Sequence, residues 1–293
     1  MKKIGMIGIG MMGHGIATNV LKGGYALSLL EHVGNQPLDG LLAAGATVCK
    51  SPLEVANAAE LIILCVTGTP QVEEVLLGDR GVLKGLKAGT IIVDCSTAIP
   101  TSTERLAKLV IDQGGYFLDA PMTRTPKEAA EGRLNLLVGG DEKLFEQCKP
   151  LLQCFAENVV HAGPIGAGHR MKLLHNYVSL GSVTLIAEAA ACAQASGIAP
   201  QTFIDILTMG GGWGAALERV KPYLSAGDTS ALRFSIANTA KDLGYYNQMA
   251  LDIQADRTIA QAVKQSLDIA CNEGNGQRLL PEIVSIISER RTN

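Results

Sequence analysis

The sequence predicts an α/β half built on a doubly wound parallel sheet, followed by an all-helical half. Two observations carry this. Apolar runs of strand length recur at 3–8, 26–30, 60–66, 90–94, 115–119, 134–138 and 155–160, with helix-like segments among them at 11–23, 70–77, 101–112 and 141–153. Strand–helix–strand alternation implies parallel strands with helices on both faces. After the glycine-rich stretch HAGPIGAGHRMK, strand signal almost disappears. A long helix is expected from about 166 to 196, stopping at Ser196-Gly197, and further helices near 200–209, 214–225, 235–250, 256–273 and 281–290. Pro200 and Pro281 suit first helical turns, where a missing amide hydrogen costs nothing. The expected domains are 1–163 and 164–293.

Bulk properties narrow the function. A chain of 293 residues suits two domains. Its net charge of −3, without a long basic cluster, argues against a nucleic-acid partner. The seven cysteines (49, 65, 95, 148, 154, 192 and 271) form no CxxC and show no metal-like spacing with histidine. They read as reduced, small hydrophobic side chains of a cytoplasmic protein, with no metal site. The start, MKKIGMIGIGMMG, has a basic end and an apolar run, but glycines break the run and no small-residue cleavage site follows. No uninterrupted apolar stretch approaches the ~20 residues of a membrane span. The apolar helix around 171–195 carries Lys172, His175, Asn176, Glu188 and Gln194, which suits a core helix rather than a lipid-facing one.

The first chemical motif is IGMIGIGMMGHG. Gly8, Gly10 and Gly13 form a GxGxxG that follows the first strand and opens a helix, the context of a Rossmann-type dinucleotide site. Gly8 permits the tight turn, Gly10 admits the pyrophosphate, and Gly13 lets helix and strand pack closely. The amides of Met11 and Met12 then face phosphate at a helix N-terminus. Glu31, at the end of the second strand, is placed to accept bonds from ribose hydroxyls and to repel a 2′-phosphate. NAD(H) is therefore expected over NADP(H), although His32 could partly accommodate a phosphate. Two further strand ends should line the ligand side of the sheet. Val66 would pack near adenine or ribose, and Ser96 and Thr97 would reach the nicotinamide half.

The second motif is GPIGAGHRMKLLHNY. Lys172 and Asn176 stand one helical turn apart and share a face, and His175 points broadly the same way. A cation and an amide on an apolar helix are costly unless they meet a polar cavity. The alternative, Lys172 reaching solvent from a helix start, stays open on these grounds.

Four ordered motifs give the chain a recognisable likeness: GIGMMG at 8–13, DAPMTRTPKEAAEGRLNLLVGG at 119–140, GAGHRMKLLHN at 166–176 and KDLG at 241–244. Together they span essentially the whole sequence. On them the chain resembles the β-hydroxyacid dehydrogenase family, which includes 3-hydroxyisobutyrate dehydrogenase and tartronate semialdehyde reductase and is related to 6-phosphogluconate dehydrogenase. The resemblance implies an NAD-binding Rossmann domain followed by a helical substrate and oligomerisation domain, and a homodimer or homotetramer. It implies an oxidoreductase that interconverts a short, anionic semialdehyde and its hydroxyacid by hydride transfer. Lys172 would be the general acid–base, Asn176 would hold the substrate hydroxyl and orient the lysine, and Thr123 would stand where the family usually has a substrate-binding serine. Lys241 would approach the nicotinamide, and Asp242 would fix its segment. A lysine near a cofactor, in a drying site, can have its proton affinity tuned for such work.

The chain departs from the family pattern at Thr123-Arg124-Thr125, where Ser-Gly-Gly is usual. Arg124 has two readings: pairing with Glu128 or solvent, or binding a strongly anionic end group of the substrate. Sulfolactaldehyde reductase has a similar Arg-Thr pair and a similar segment from Lys172 to Tyr177. On that likeness Arg124, His175, Asn176 and Tyr177 would surround the anion. A non-catalytic NAD-binding sensor on the same scaffold is the reading from a different class; intact Lys172, Asn176 and Thr123 argue against it.

Overall fold

The computed structural model describes residues 2–290, which fall into two compact units, Met1–Lys172 and Leu173–Asn293. The first unit runs β1 (Lys3–Ile7), α1 (Met11–Lys22), β2 (Ala26–Leu30), α2 (Asp39–Ala43), β3 (Thr47–Cys49), α3 (Pro52–Ala58), β4 (Leu61–Leu64), α4 (Thr69–Leu77), β5 (Ile91–Asp94), α5 (Pro100–Asp112), β6 (Tyr116–Asp119), β7 (Met122–Thr123), α6 (Pro126–Glu131), β8 (Leu134–Gly139), α7 (Glu142–Leu152) and β9 (Ala156–Gly163). Then α8 (Ala167–Ala195) starts in the first unit and continues into the second.

The strands form one sheet in the order β3-β2-β1-β4-β5-β6-β8-β7, with β9 beside β8. From β3 to β6 all pairings are parallel. Chain direction then reverses, because β8 pairs antiparallel with β6 and β7. Simple alternation predicts a uniformly parallel sheet and misses this. The short β7 and α6 return the chain without a full crossover, so β8 comes back in the opposite sense. The elements α2, β3, α3, β7 and α6 are likewise not evident in the sequence, each being too short to show a period of its own.

Strand residues alternate between two cores. Leu61, Ile63, Ile91 and Val93 join Ile16, Val20 and Phe155 on one face. Ile62, Leu64 and Ile92 join Val55, Leu76, Leu106 and Val110 on the other. Continuous apolar strands follow from burial on both faces. Prolines open α3, α4, α5, α6 and α9 (Pro200–Met209).

The second unit is helical. After α8 and α9 come α10 (Ala215–Ala226), α11 (Ile236–Asp252), α12 (Thr258–Ala270) and α13 (Ile283–Glu289), the last preceded by a short 3₁₀ turn that contains Pro281. Gly197, with φ +78°, ends α8 as the sequence suggests. The core joins Val183, Ala187 and Ala190 of α8 to Leu217, Leu243, Leu267 and Ile283. By length and composition α8 would be long and apolar enough to cross a membrane, but half of its most apolar window is buried inside the protein. The described cysteines are all free thiols.

Candidate active site

The glycine turn is shaped for a dinucleotide. Gly8 has φ +99°, and a Cβ there would stand 2.2 Å from the Cys65 carbonyl oxygen of the neighbouring strand end. A Cβ at Gly13 would stand 1.9 Å from the Gly8 carbonyl oxygen. Only hydrogen fits at either place. Around Gly10 the opposite holds: no atom lies within 4 Å of where a Cβ would be. That open space sits at the N-terminus of α1, whose Gly10 cap supplies no side chain to the first-turn amides. A backbone cradle with room above it and a helix dipole behind it fits a pyrophosphate. Met11 is 67 % exposed at its rim, and Met12 turns partly inward.

Glu31 follows β2 as expected, but it is not alone: its carboxylate forms an ion pair with Lys50, which follows β3. Lys50 is not legible as its partner in the sequence, because β3 is too short to show a period and Lys50 lies just past its end. At the ends of β4 and β5, the Val66 amide donates to Ser96 Oγ at 3.0 Å, and the Ser96 amide donates to Asp94 Oδ1 at 2.9 Å. Ser96 is buried and Thr97 half-buried.

The loop that carries Arg124 is anchored at both ends. Thr123, in β7, is buried, and its Oγ accepts from Asn135 Nδ2 at 3.0 Å. Asn135 is the donor in this bond, so the threonine hydroxyl hydrogen is left free to donate elsewhere. Beyond the loop, α6 is clamped to α1: Asn19 Nδ2 donates to the carbonyls of Ala129 (2.9 Å) and Ala130 (3.2 Å). A Cβ on Gly15 would fall 2.6 Å from the Ala129 carbonyl carbon. The loop therefore keeps its place relative to the dinucleotide helix. Nothing in a linear reading pairs Asn19 with residues so far along the chain.

Arg124 has a partner that the sequence alone does not reveal. Its charge is matched by Glu157 of β9, and the same Nη1 donates to the Arg133 carbonyl oxygen. The alternative partner foreseen, Glu128, instead closes a capping box with Thr125 at the start of α6. Arg124 also adopts φ +82°, a left-handed conformation that a side chain resists by about 1–2 kcal/mol. The glycine usual here in the resembling family is thus explained by backbone geometry.

The lysine helix begins with close contact. Asp119, at the end of β6, accepts from the Gly166 amide at 2.7 Å and the His169 amide at 2.8 Å. A Cβ on Gly168 would lie 2.2 Å from the Leu137 carbonyl oxygen. The G-x-G of GAGHRMK is therefore a packing requirement that seats the first turn of α8 on the sheet. Lys172 follows one turn later, half-buried.

In the second unit, Asp242 is the organising group. It is buried, and its two oxygens accept from Asn176 Nδ2 and Lys241 Nζ, each at 2.7 Å. Asn176 Oδ1 lies 3.0 Å from His175 Nδ1. The carboxylate thus orients the amide and the ammonium together. Tyr177, half-buried, stacks on Tyr246 with ring centroids 4.2 Å apart and packs against the helical core. One residue from Asn176 on a helix, it is rotated by about 100° from the amide. His175 is exposed. Among the described residues no group of His, Cys, Asp and Glu is arranged to hold a metal ion.

Comparison with known proteins agrees with this geometry. Residues 3–163 match the family model for the NAD binding domain of 6-phosphogluconate dehydrogenase. Residues 166–287 match that for the NAD-binding of NADP-dependent 3-hydroxyisobutyrate dehydrogenase. The chain belongs to the β-hydroxyacid dehydrogenase family. It is an oxidoreductase with an NAD-binding Rossmann domain and a helical second domain. Among its relatives, the NAD-dependent L-serine dehydrogenase of Pseudomonas aeruginosa is 34 % identical over 85 % of this chain and 86 % of that protein. The mitochondrial 3-hydroxyisobutyrate dehydrogenase of Mus musculus is 31 % identical over 98 % of this chain and 87 % of that protein. A crystal structure of 3-hydroxyisobutyrate dehydrogenase from Salmonella typhimurium superposes with a TM-score of 0.83 at 27 % identity, covering 97 % of this chain and 99 % of that one.

The loop geometry makes a stability prediction. Arg124→Gly loses an ion pair worth at most about 1 kcal/mol but relieves the left-handed strain. Arg124→Ala loses the pair and keeps the strain. The glycine variant should therefore be the more stable by about 1 kcal/mol in urea unfolding. Equal stabilities would mean that residue 124 is not held at positive φ in solution.

Proposed function

We propose that this enzyme interconverts a short carboxylate-bearing 3-hydroxyacid and its semialdehyde with NAD(H), using Lys172 as the general acid–base. The observation that carries this is the seating of the lysine turn: Asp119, Gly166 and Gly168 fix it to the sheet that also holds the dinucleotide cradle and Thr123. The bound nicotinamide supplies or accepts the hydride. In reduction, the Lys172 ammonium gives a proton to the carbonyl oxygen; in oxidation, the amine removes it from the hydroxyl. Thr123, with its hydroxyl hydrogen available, donates to a substrate oxygen. We assign the reacting hydroxyl to Asn176, oriented by Asp242, and a role toward the cofactor to Lys241.

The substrate class is narrowed by chemistry common to named relatives. L-serine, 3-hydroxyisobutyrate and, from a relative in Eubacterium barkeri, 2-(hydroxymethyl)glutarate all carry a hydroxymethyl group on the carbon next to a carboxylate. We assign this chain the same unit, with the C2 substituent left open. The Arg124–Glu157 pair weighs against a sulfonate-specific enzyme, because an anion that recruits Arg124 must first displace Glu157. Free thiols support a cytoplasmic setting. Exposed Val178 and Leu185 on α8 support a homo-oligomer that covers them.

Lys172→Ala should lower kcat by about a hundredfold or more while NADH binding, read by fluorescence, stays within about threefold. The substrates are the three hydroxyacids above and sulfolactaldehyde in the reverse direction. Retained turnover would remove Lys172 from the chemistry, and no turnover on any of them by the native protein would favour the sensor reading. Arg124→Gly should leave KM for the preferred carboxylate within about threefold; a tenfold rise would restore Arg124 as the anion contact.

Cofactor choice has its own test. Glu31 favours NAD, whereas Lys50 offers a charge to a 2′-phosphate. Glu31→Ala should raise kcat/KM for NADPH relative to NADH by about tenfold, and adding Lys50→Ala should reverse most of that gain. A native enzyme that uses both cofactors equally would contradict the role given to Glu31.

A further inference from the structure

The mechanism above makes no use of His169, yet this ring is 0 % exposed and lies where four elements meet. Asp94 and Asp119 end the adjacent parallel strands β5 and β6 and stand opposite each other in register. Both are buried, so two carboxyl groups share a dry pocket. His169 lies against both: its Nε2 is 3.9 Å from Asp94 Oδ2 and its Nδ1 is 3.7 Å from Asp119 Oδ2. Asp94 Oδ2 is buried with no hydrogen-bond partner, so the edge of this ring is the polar group facing it. Burial pushes the Asp94 carboxyl above its ordinary range, opposed by His169 and by the bonds from Ser96.

Direct bonds complete the arrangement. His169 Nε2 is 3.1 Å from the Ser96 carbonyl oxygen, which only accepts, so Nε2 carries a proton and donates it. Nδ1 is 2.8 Å from Thr103 Oγ of α5. The His169 amide is one of the two that Asp119 caps. One side chain and its own amide thus join the ends of β5 and β6, a turn of α5 and the start of α8.

We propose that His169 is a positioning residue, whose ring fixes the first turn of α8, and with it Lys172, against the Ser96 end of β5. The proposal rests on the roles given above to Lys172 and Ser96. A fully buried ring cannot reach substrate, so it does not exchange the reacting proton itself. What it controls is register. Lys172 lies one turn beyond His169, and Ser96 is assigned to the nicotinamide half. A directional bond between them sets the separation of proton donor and hydride carbon, where a shift of about 1 Å can cost a hundredfold in rate. An aliphatic side chain would fill the space without fixing that separation.

The test uses the full-length protein with His169→Leu and His169→Gln. His169→Leu should lower kcat about tenfold or more, with the NADH dissociation constant within about threefold. His169→Gln, whose amide can still donate to the Ser96 carbonyl, should recover kcat to within about threefold of the native value. A leucine variant with native kcat, or a glutamine variant no better than leucine, would overturn the proposal. Should the leucine variant fail to fold, the glutamine variant and nitrogen-15 NMR of labelled histidine decide it. The resonance that vanishes in His169→Gln should report a protonated Nε2; a ring protonated only on Nδ1 would refute the bond to Ser96. That readout does not depend on turnover, so failure of the Lys172 assignment and failure of this one are distinguishable.

Discussion

One buried carboxylate, Asp119, determines where the lysine helix starts. It closes β6, is 0 % exposed, and accepts from two amides at the beginning of α8. An acceptor at a helix N-terminus satisfies amides that the helix cannot, and its negative charge opposes the positive end of the dipole. The glycines at 166 and 168 are consequences: the first adopts φ +87°, and the second lets the backbone approach the Leu137 carbonyl. With the turn fixed there, Lys172 has one place to be. Burying a second carboxyl beside the first, at Asp94, creates the need that His169 meets.

Legibility in the sequence followed period and local spacing. Long strands buried on both faces, the glycine turn and the helical second half all announce themselves over five to thirty residues, and the structure has them. Short elements did not, because β3, β7 and α6 owe their existence to neighbours rather than to their own pattern. The same distinction applies to the site. Gly8, Gly10 and Gly13 are read from spacing alone. The partners Lys50, Asn135, Asn19 and Glu157 reach their targets across strands or helices, and no window of sequence joins them. His169 illustrates the limit: it sits inside the most diagnostic motif, yet its surroundings come from three other segments.

Arg124 shows how a chemically suggestive residue can be redirected by its context. In sequence it is a lone cation within a stretch that resembles the family's substrate-binding segment, and an anion is the natural partner to imagine. In the fold, β8 and β9 run side by side, and Glu157 of β9 lies within reach of the loop. An internal carboxylate is present at every moment, whereas a substrate is present at its own concentration. A substrate anion would have to repay the loss of that partner before gaining anything from the guanidinium. The unusual feature of this loop is therefore conformational as much as electrostatic, since a side chain occupies a left-handed position and is tied down by the ion pair it forms.

The two units solve the same problem in the same way. In the first, Asp119 positions the turn that leads to Lys172. In the second, Asp242 receives Asn176 and Lys241 on its two oxygens. Each carboxylate is nearly inaccessible to water, so each is costly to bury and retained only because its bonds are strong and directional. Neither needs to touch substrate to matter. Proton transfer depends on distances finer than apolar packing specifies, and a hydrophobic helix such as α8 would otherwise be free to settle wherever its Val and Ala side chains fit best. Buried carboxylates at fixed strand and helix positions convert that loosely specified packing into one defined register. This accounts for acidic residues that the reaction itself does not require.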